Sequence, residues 1–80
     1  SSLDNSRITF GATVKITDLS SDETHTYTIV GADESDIEKN LISISAPLGR
    51  AMINKTINDV IEVTTPGGIK EYQINSIKYS

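Results

Sequence analysis

The chain has 80 residues, contains no cysteine and carries a formal net charge of −4. This length suffices for one small domain. The acidic balance argues against a protein that binds nucleic acid through a basic face, because phosphate contacts need clustered Lys and Arg. The lack of cysteine excludes disulfides, thiolate zinc sites and cysteine nucleophiles, and a single histidine excludes a multi-histidine metal site. No apolar run is long enough to predict a membrane-spanning helix.

The first segment, Ser1 to Ser6, is polar and lacks periodicity, so we expect a linker remnant or a disordered end. The folded domain is expected to span residues 7–80. Its first feature is a run of apolar residues at alternate positions: Ile8, Phe10, Ala12, Val14 and Ile16. A period of two predicts one long strand with a buried face. Gly11 is expected to mark a bend or bulge in that strand.

A second strand is predicted to return beside the first. Asp18 to Glu23 is a polar turn, and the segment from Thr24 to Gly31 alternates again. Tyr27 and Ile29 are expected to face inward. The connection has a length usual for a hairpin, which predicts antiparallel pairing.

An acidic segment then predicts a short helical turn. Asp33 is placed to cap this turn, and Asp36 follows three residues later as a capping-box partner. Asn40 is a plausible left-handed terminator, because asparagine tolerates positive φ.

A short extended segment, Leu41 to Ser45, leads into a second helix. Pro47 suits the first helical position, since its missing N–H costs nothing there. Apolar residues at i, i+3 and i+4 spacing then share one face, and the helix is expected to end near Asn54. These apolar residues are Leu48, Ala51 and Met52.

The C-terminal part predicts a second hairpin. Asp59 to Thr65 reads as a strand with Ile61 and Val63 inward. In the turn that follows, Pro66 presets φ and Gly67 is expected to supply a positive φ.

The last predicted strand, Ile69 to Tyr79, changes its apolar phase partway along. Tyr72 and Ile74 are even-numbered, whereas Ile77 and Tyr79 are odd-numbered. One extra residue near Asn75 would explain the slip, which predicts a β-bulge. Together the elements predict an α+β fold, with a twisted antiparallel sheet and one or two short helices packed on one face.

Four blocks of sequence carry a resemblance to a known family. The chain resembles the C-terminal domain of bacterial transcript-cleavage elongation factors of the Gre family, of the GreA type in particular. The resemblance covers about residues 8–79 and implies an FKBP-like fold, in agreement with the strand pattern. The four blocks are Phe10-Gly11-Ala12-Thr13-Val14, Tyr27-Thr28-Ile29-Val30-Gly31-Ala32-Asp33-Glu34, Leu41-Ile42-Ser43-Ile44-Ser45-Ala46-Pro47-Leu48-Gly49-Arg50-Ala51-Met52-Ile53 and Thr65-Pro66-Gly67-Gly68.

The resemblance implies a binding domain, not an enzyme. In this family the C-terminal domain docks on RNA polymerase, at a coiled coil of the β′ subunit on the rim of the secondary channel. A separate helical hairpin of the family carries the acids that help the polymerase cut backtracked RNA, and this sequence shows no such hairpin. The resemblance therefore implies a monomeric, cytoplasmic docking module with no cofactor or metal, no direct specific contact with nucleic acid and no membrane contact.

The positions that match the family's polymerase-binding loop are Ser45, Ala46 and Pro47. Ala46 departs from the family pattern, where serine is usual, and so lacks one hydroxyl. Arg50 follows on the short helix. It is either an ion-pair partner for an acidic residue of the polymerase or a surface charge of little energetic weight.

Alternative functions remain open at this point. A related factor could use the same domain to inhibit the polymerase, with a different or degenerate hairpin. An FKBP-like fold also raises peptidyl-prolyl isomerase activity, which the scarcity of aromatic residues disfavours. His25 lacks a nucleophile or carboxylate at motif spacing and is expected to be an ordinary strand residue. The acids from Asp33 to Glu38 do not have EF-hand spacing and are expected to form caps and a solvated face.

Overall fold

A computed structural model describes residues 7–79, and these form one five-stranded sheet with a short helix. The α+β prediction is confirmed. The expectation for Ser1 to Ser6 lies outside the described residues. The elements are β1 (Thr13–Asp18), β2 (Thr24–Val30), β3 (Leu41–Ser43), α1 (Pro47–Met52), β4 (Val60–Thr65) and β5 (Gly68–Lys78), with single 3₁₀ turns at Ala32–Glu34 and Ile37–Lys39.

The strand order across the sheet is β3-β2-β1-β5-β4. Three neighbouring pairs are antiparallel, but β2 and β3 run parallel, with Ile29 opposite Ile42. The prediction of an antiparallel sheet is therefore wrong for this pair, and the sheet is mixed. After β2 the chain passes through the two 3₁₀ turns and returns to lie beside Thr28, so that β3 runs parallel to the last three residues of β2.

Strand β1 is shorter than the alternating pattern predicts. A tight turn precedes it, in which the Ala12 N–H donates to the Thr9 carbonyl over 3.1 Å and Gly11 has a φ of 89°. Gly11 thus bends the chain before the strand and not within it. Ile8 and Ala12 are buried on either side of the turn, whereas Phe10 is 59% exposed at its tip. The expected burial of Phe10 is wrong.

The β1–β2 hairpin lies where the sequence predicts it, and a buried carboxylate organises its loop. Asp18 Oδ1 accepts hydrogen bonds from the N–H and hydroxyl of Ser20 and from the N–H of Ser21. Its Oδ2 lies 3.4 Å from Lys70 Nζ on β5. These bonds hold the pKa of Asp18 far below its usual range, and the two bonds from Ser20 contribute most.

The second hairpin has the predicted location and a different turn conformation. Positive φ falls on Gly68, at 123°, and not on Gly67. Further along β5 the register against β1 shifts, so that Lys15 faces Ser76 while Ile16 faces Ile74. Asn75 is therefore the extra residue, and the predicted bulge is confirmed.

The acidic segment after β2 differs from its prediction. Asp33 lies inside the first 3₁₀ turn and does not cap it. Asp36 is the residue that caps, because its Oδ1 accepts a 3.1 Å hydrogen bond from the Glu38 N–H and so begins the second turn. Asn40 ends that turn with a φ of 61°, which confirms its predicted left-handed role.

The core lies between the concave face of the sheet and α1. The helix contacts both β3 and β4, which are the two edge strands, so the sheet must curl to bring both edges to one helix. Tyr27 is half-buried beside this core, and burial together with the nearby Tyr72 raises its pKa. The buried apolar residues are Ile8, Ala12, Val14, Ile16, Ile29, Ile42, Met52, Ile61, Val63 and Ile74.

The two ends of the described chain are tied together by one phenol. Tyr79 Oη donates to the Arg7 carbonyl over 2.8 Å. The same oxygen lies 3.0 Å from the Thr9 N–H, which donates to it, and 2.9 Å from Thr9 Oγ1. The segment before β1 is thus fixed to the end of β5 although the two are distant in sequence.

Candidate functional site

The predicted binding residues meet at one corner of the molecule, between the end of β3 and the first turns of α1. We call residues Ser45 to Arg50 the docking corner. The Ile44 N–H donates to the Val30 carbonyl over 2.8 Å and extends the parallel pairing one residue beyond β3. The chain then turns, and the Ala46 N–H donates to the Ser43 carbonyl over 3.0 Å. These bonds fix the corner to β2 and to the edge strand β3.

Ser43 and Ser45 stabilise the turn through their side chains. Their hydroxyl oxygens lie 2.8 Å apart, and Ser43 Oγ accepts a 3.1 Å hydrogen bond from the Ser45 N–H. The Ser45 hydroxyl is therefore held in place by its neighbour and remains exposed at the surface. A fixed hydroxyl can bind a partner without a further loss of side-chain entropy.

Ala46 occupies the N-cap position of α1, with extended backbone angles and no side-chain cap. Pro47 follows at the first helical position, as predicted. A serine at the N-cap would supply an acceptor for an N–H of the first helical turn, which alanine lacks. The departure from the family pattern thus affects the helix itself as well as any contact with a partner.

Gly49 permits the close packing of α1 on β3. A Cβ added at Gly49 would lie 2.2 Å from the Ser43 carbonyl oxygen and 3.1 Å from the Ser43 carbonyl carbon. No real side chain fits at that distance, so only glycine allows the helix to lie this near the strand. This role of Gly49 was not predicted from the sequence. The available signal was a glycine inside a predicted helix, where glycine costs about 1 kcal/mol relative to alanine and needs a packing reason.

The docking corner is on the surface. Ser45, Pro47 and Arg50 are exposed, and Ala46 is half-buried. Ile44 is 36% exposed beside them and adds an apolar side chain to this surface, which the sequence pattern did not predict. Helix α1 ends at Met52, and Asn54 takes a φ of 69°, which fits a left-handed terminator. The structure thus places all four predicted residues at one corner and leaves three of them exposed.

A groove runs along α1 on the side away from β3, between the helix and β4. We call it the α1/β4 groove, and Arg50 lies at its border with the docking corner. The remaining lining residues are Ala51, Ile53, Lys55, Val60, Ile61 and Glu62.

Among residues 7–79, the remaining histidine and acidic side chains do not converge on a second site. His25 is 3.9 Å from Glu23 and stacks on Tyr27, with ring centroids 6.0 Å apart. Within residues 7–79, no group of three His, Asp or Glu side chains is placed to hold a metal ion. None of the helices found over the same residues has the length and hydropathy to cross a membrane.

Comparison with known proteins identifies the family. The family model described as "Transcription elongation factor, GreA/GreB, C-term" matches residues 3–79. Transcription elongation factor GreA of Buchnera aphidicola is 53% identical over 75 residues, which cover 94% of this chain and 47% of the relative. GreA of Yersinia pestis is 47% identical over the same share of this chain and 48% of its own length. The chain thus spans about half the length of the curated relatives it matches.

Solved structures agree with this assignment. The GreA/GreB elongation factor of Nitrosomonas europaea is 32% identical, with a TM-score of 0.78 over 94% of this chain and 62% of that protein. The GreA homologue Gfh1 of Thermus thermophilus is 26% identical, with a TM-score of 0.80 over 92% of this chain and 49% of that protein. The sequence match, the shared fold and the matched residue range together show that the chain belongs to the GreA/GreB family of transcription elongation factors and corresponds to its C-terminal domain.

Proposed function

We propose that this chain is the RNA polymerase-docking domain of a Gre-type elongation factor. The observation that carries the proposal is the docking corner, in a domain whose family match extends over residues 3–79. Ile44, Ser45 and Pro47 form an exposed apolar and hydroxyl surface, and Arg50 places a cation at its border. The partner surface is a coiled coil of the β′ subunit at the rim of the secondary channel.

The rigidity of the corner supports binding. Main-chain hydrogen bonds hold it to β2 and β3, and the Gly49 contact holds the helix against Ser43. A preorganised surface loses little conformational entropy when it binds, so a small contact area can still give a specific complex. Docking of this kind works as a tether that raises the effective concentration of whatever is linked to the domain.

Stimulation of transcript cleavage is proposed for the whole factor and not for this domain alone. The described residues contain one α-helix, Pro47–Met52, and no long helical hairpin. The proposal is therefore that this chain binds the polymerase and does not promote cleavage alone. The alternative is a Gre-related factor that uses the same docking to inhibit the polymerase.

Prolyl isomerase activity is not favoured by the structure. Ile29 and Ile74 on the concave face of the sheet and Met52 on α1 are fully buried. They occupy the space between sheet and helix where an isomerase of similar fold would need an open apolar pocket.

Binding of the labelled chain to purified bacterial RNA polymerase, followed by fluorescence anisotropy, tests the proposal. We expect saturable binding and a loss of about tenfold in affinity for Arg50→Glu, as for one interfacial charge contact. The matched control is Lys15→Glu, which makes the same charge change on the opposite face of the sheet, where Lys15 is exposed between buried Val14 and Ile16. Equal loss in both variants, or no binding by the folded parent chain, would refute docking through this corner.

A further inference from the structure

The two edges of the sheet differ in how their backbone groups are used. At the β3 edge, Leu41 exchanges two hydrogen bonds with Asp36, of 2.8 and 3.0 Å. The next outward-facing carbonyl, that of Ser43, accepts from the Ala46 N–H. The chain therefore covers this edge with its own backbone, which is a common way to prevent an edge strand from pairing with another chain.

The β4 edge is open over the described residues. The Ile74 N–H donates to the Asp59 carbonyl, and Ile61 lies opposite Tyr72, which fixes the alternation of the antiparallel ladder. The residues at 61, 63 and 65 bond to β5, so the N–H and C=O groups of Val60, Glu62 and Thr64 point away from the sheet. No hydrogen bond within residues 7–79 engages these groups. Strand β4 also has no lysine and no proline to block pairing.

The α1/β4 groove lies directly beside this open edge. Ala51, Ile53, Val60 and Ile61 are its apolar lining residues, and Val60 is 52% exposed. Arg50 and Lys55 add two cations on the helix side, and Glu62 adds one acid on the strand side. Within the described residues, neither the Lys70–Asp18 salt bridge nor the His25–Glu23 contact involves a groove cation. The hydrogen bonds from Thr56 lower the pKa of Asp59, and the charge of Lys55 adds to this effect. In a chain of net charge −4, this groove has a net positive lining.

We propose that the β4 edge binds an extended segment of another protein as an additional strand. Main-chain hydrogen bonds to Val60, Glu62 and Thr64 supply the pairing. Side chains of the segment that face the groove lie two residues apart, because strand side chains alternate. One such side chain is apolar and packs against Ala51 and Ile53, and its groove-facing neighbours are acidic and approach the groove cations.

The occupant is thus an extended segment with an apolar residue flanked at i−2 and i+2 by acids. Opposite charge favours this pattern over a basic one, since a basic segment would meet Arg50 and Lys55. The inference does not depend on docking to RNA polymerase, because the open edge and the groove are present in the free domain and peptide binding is measured without polymerase.

A fluorescein-labelled peptide, Thr-Asp-Thr-Val-Thr-Asp-Thr, serves as the probe for the full 80-residue chain. We expect saturable binding by anisotropy and chemical-shift changes confined to β4, α1 and the loop between them. A matched peptide with Lys in place of both Asp residues should bind at least about tenfold more weakly, if two charge contacts contribute. Equal binding of the two peptides would overturn the proposal. Chemical-shift changes limited to the docking corner would overturn it as well.

Backbone pairing is tested separately with Glu62→Pro and Glu62→Thr. Both remove the same charge, but only proline removes the outward N–H, and an edge position with its N–H toward solvent tolerates proline. We expect Glu62→Pro to bind the peptide about three- to tenfold more weakly than Glu62→Thr, as for one lost hydrogen bond. Thermal unfolding of both variants checks the fold. If Glu62→Pro unfolds the domain, peptide binding by Lys55→Glu is compared with that by Lys15→Glu instead. We expect weaker binding only for Lys55→Glu, because Lys55 lines the groove and Lys15 does not.

Two other occupants are distinguished by further measurements. A concentration-dependent dimer in analytical ultracentrifugation that Glu62→Pro abolishes would assign the edge to a second copy. Tighter peptide binding by a chain that begins at Arg7 would assign it to the chain's own first residues. Either result overturns the proposal of an external segment, and a monomer with unchanged binding after truncation supports it.

Discussion

Replacement of Gly49 by alanine sets two known effects against each other at the docking corner. Helix propensity alone predicts that Gly49→Ala stabilises the domain by about 1 kcal/mol. The structure predicts the opposite, because the new Cβ would lie 2.2 Å from the Ser43 carbonyl oxygen, where ordinary contacts begin at 3.4 Å. The helix and β3 must therefore separate by about 1 Å, and forced repacking of this kind costs about 1–3 kcal/mol or more.

We expect a net destabilisation of about 1 kcal/mol for Gly49→Ala, which lowers the melting temperature of a domain this size by about 5 °C. Urea unfolding followed by circular dichroism measures the change. Gly67→Ala is the matched control, because its nearest heavy atom would be 4.0 Å away and its φ is not in the positive range. A neutral or stabilising Gly49→Ala would refute the argument that close helix–strand approach shapes the corner.

Three further predictions concern the cap, the tied chain ends and the buried carboxylate. Ala46→Ser should add a helix N-cap and stabilise the domain by about 1 kcal/mol in urea unfolding. An unchanged unfolding midpoint would mean that the new hydroxyl does not cap. Tyr79→Phe should cost about 1 kcal/mol and speed hydrogen exchange at the Thr9 amide. Tyr72→Phe should leave that amide unchanged, and equal effects would contradict the proposed tie. Because the pKa of Asp18 is lowered on folding, its stabilising effect is full above its unfolded-state pKa and is lost as the pH falls below that value toward the folded-state pKa. Asp18→Asn should therefore reduce stability at neutral pH and flatten the acid limb of the stability profile, and a parallel profile would contradict this assignment.

Local patterns predicted the elements whose causes are local. The phase slip between Ile74 and Ile77 located the bulge at Asn75, because one extra residue in a strand moves the following apolar positions from even to odd numbers. Pro47 and Asn40 marked a helix start and a left-handed end for reasons of their own backbone chemistry. The position of the docking corner followed from the same signals together with the family resemblance.

The remaining features depend on contacts that the sequence pattern does not record. Ile8 and Ala12 are both buried although a turn separates them, so the alternating apolar pattern extends beyond the start of β1. Phe10 lies at the exposed tip of that turn. The parallel direction of β3 is set by its partner β2, which no periodicity reveals. The need for glycine at 49 arises from a strand six residues earlier in the chain, and it becomes visible only when the helix is packed against Ser43.

The tie made by Tyr79 has a consequence for the geometry of the whole domain. Because its phenol bonds to Arg7 and Thr9, the chain enters and leaves the fold at nearly the same point. A short linker could therefore join residue 79 to residue 7 with little loop-closure entropy. The Pro66–Gly67 turn would offer new termini for such a circular permutant, because it is exposed and exposed turn tips tolerate chain breaks.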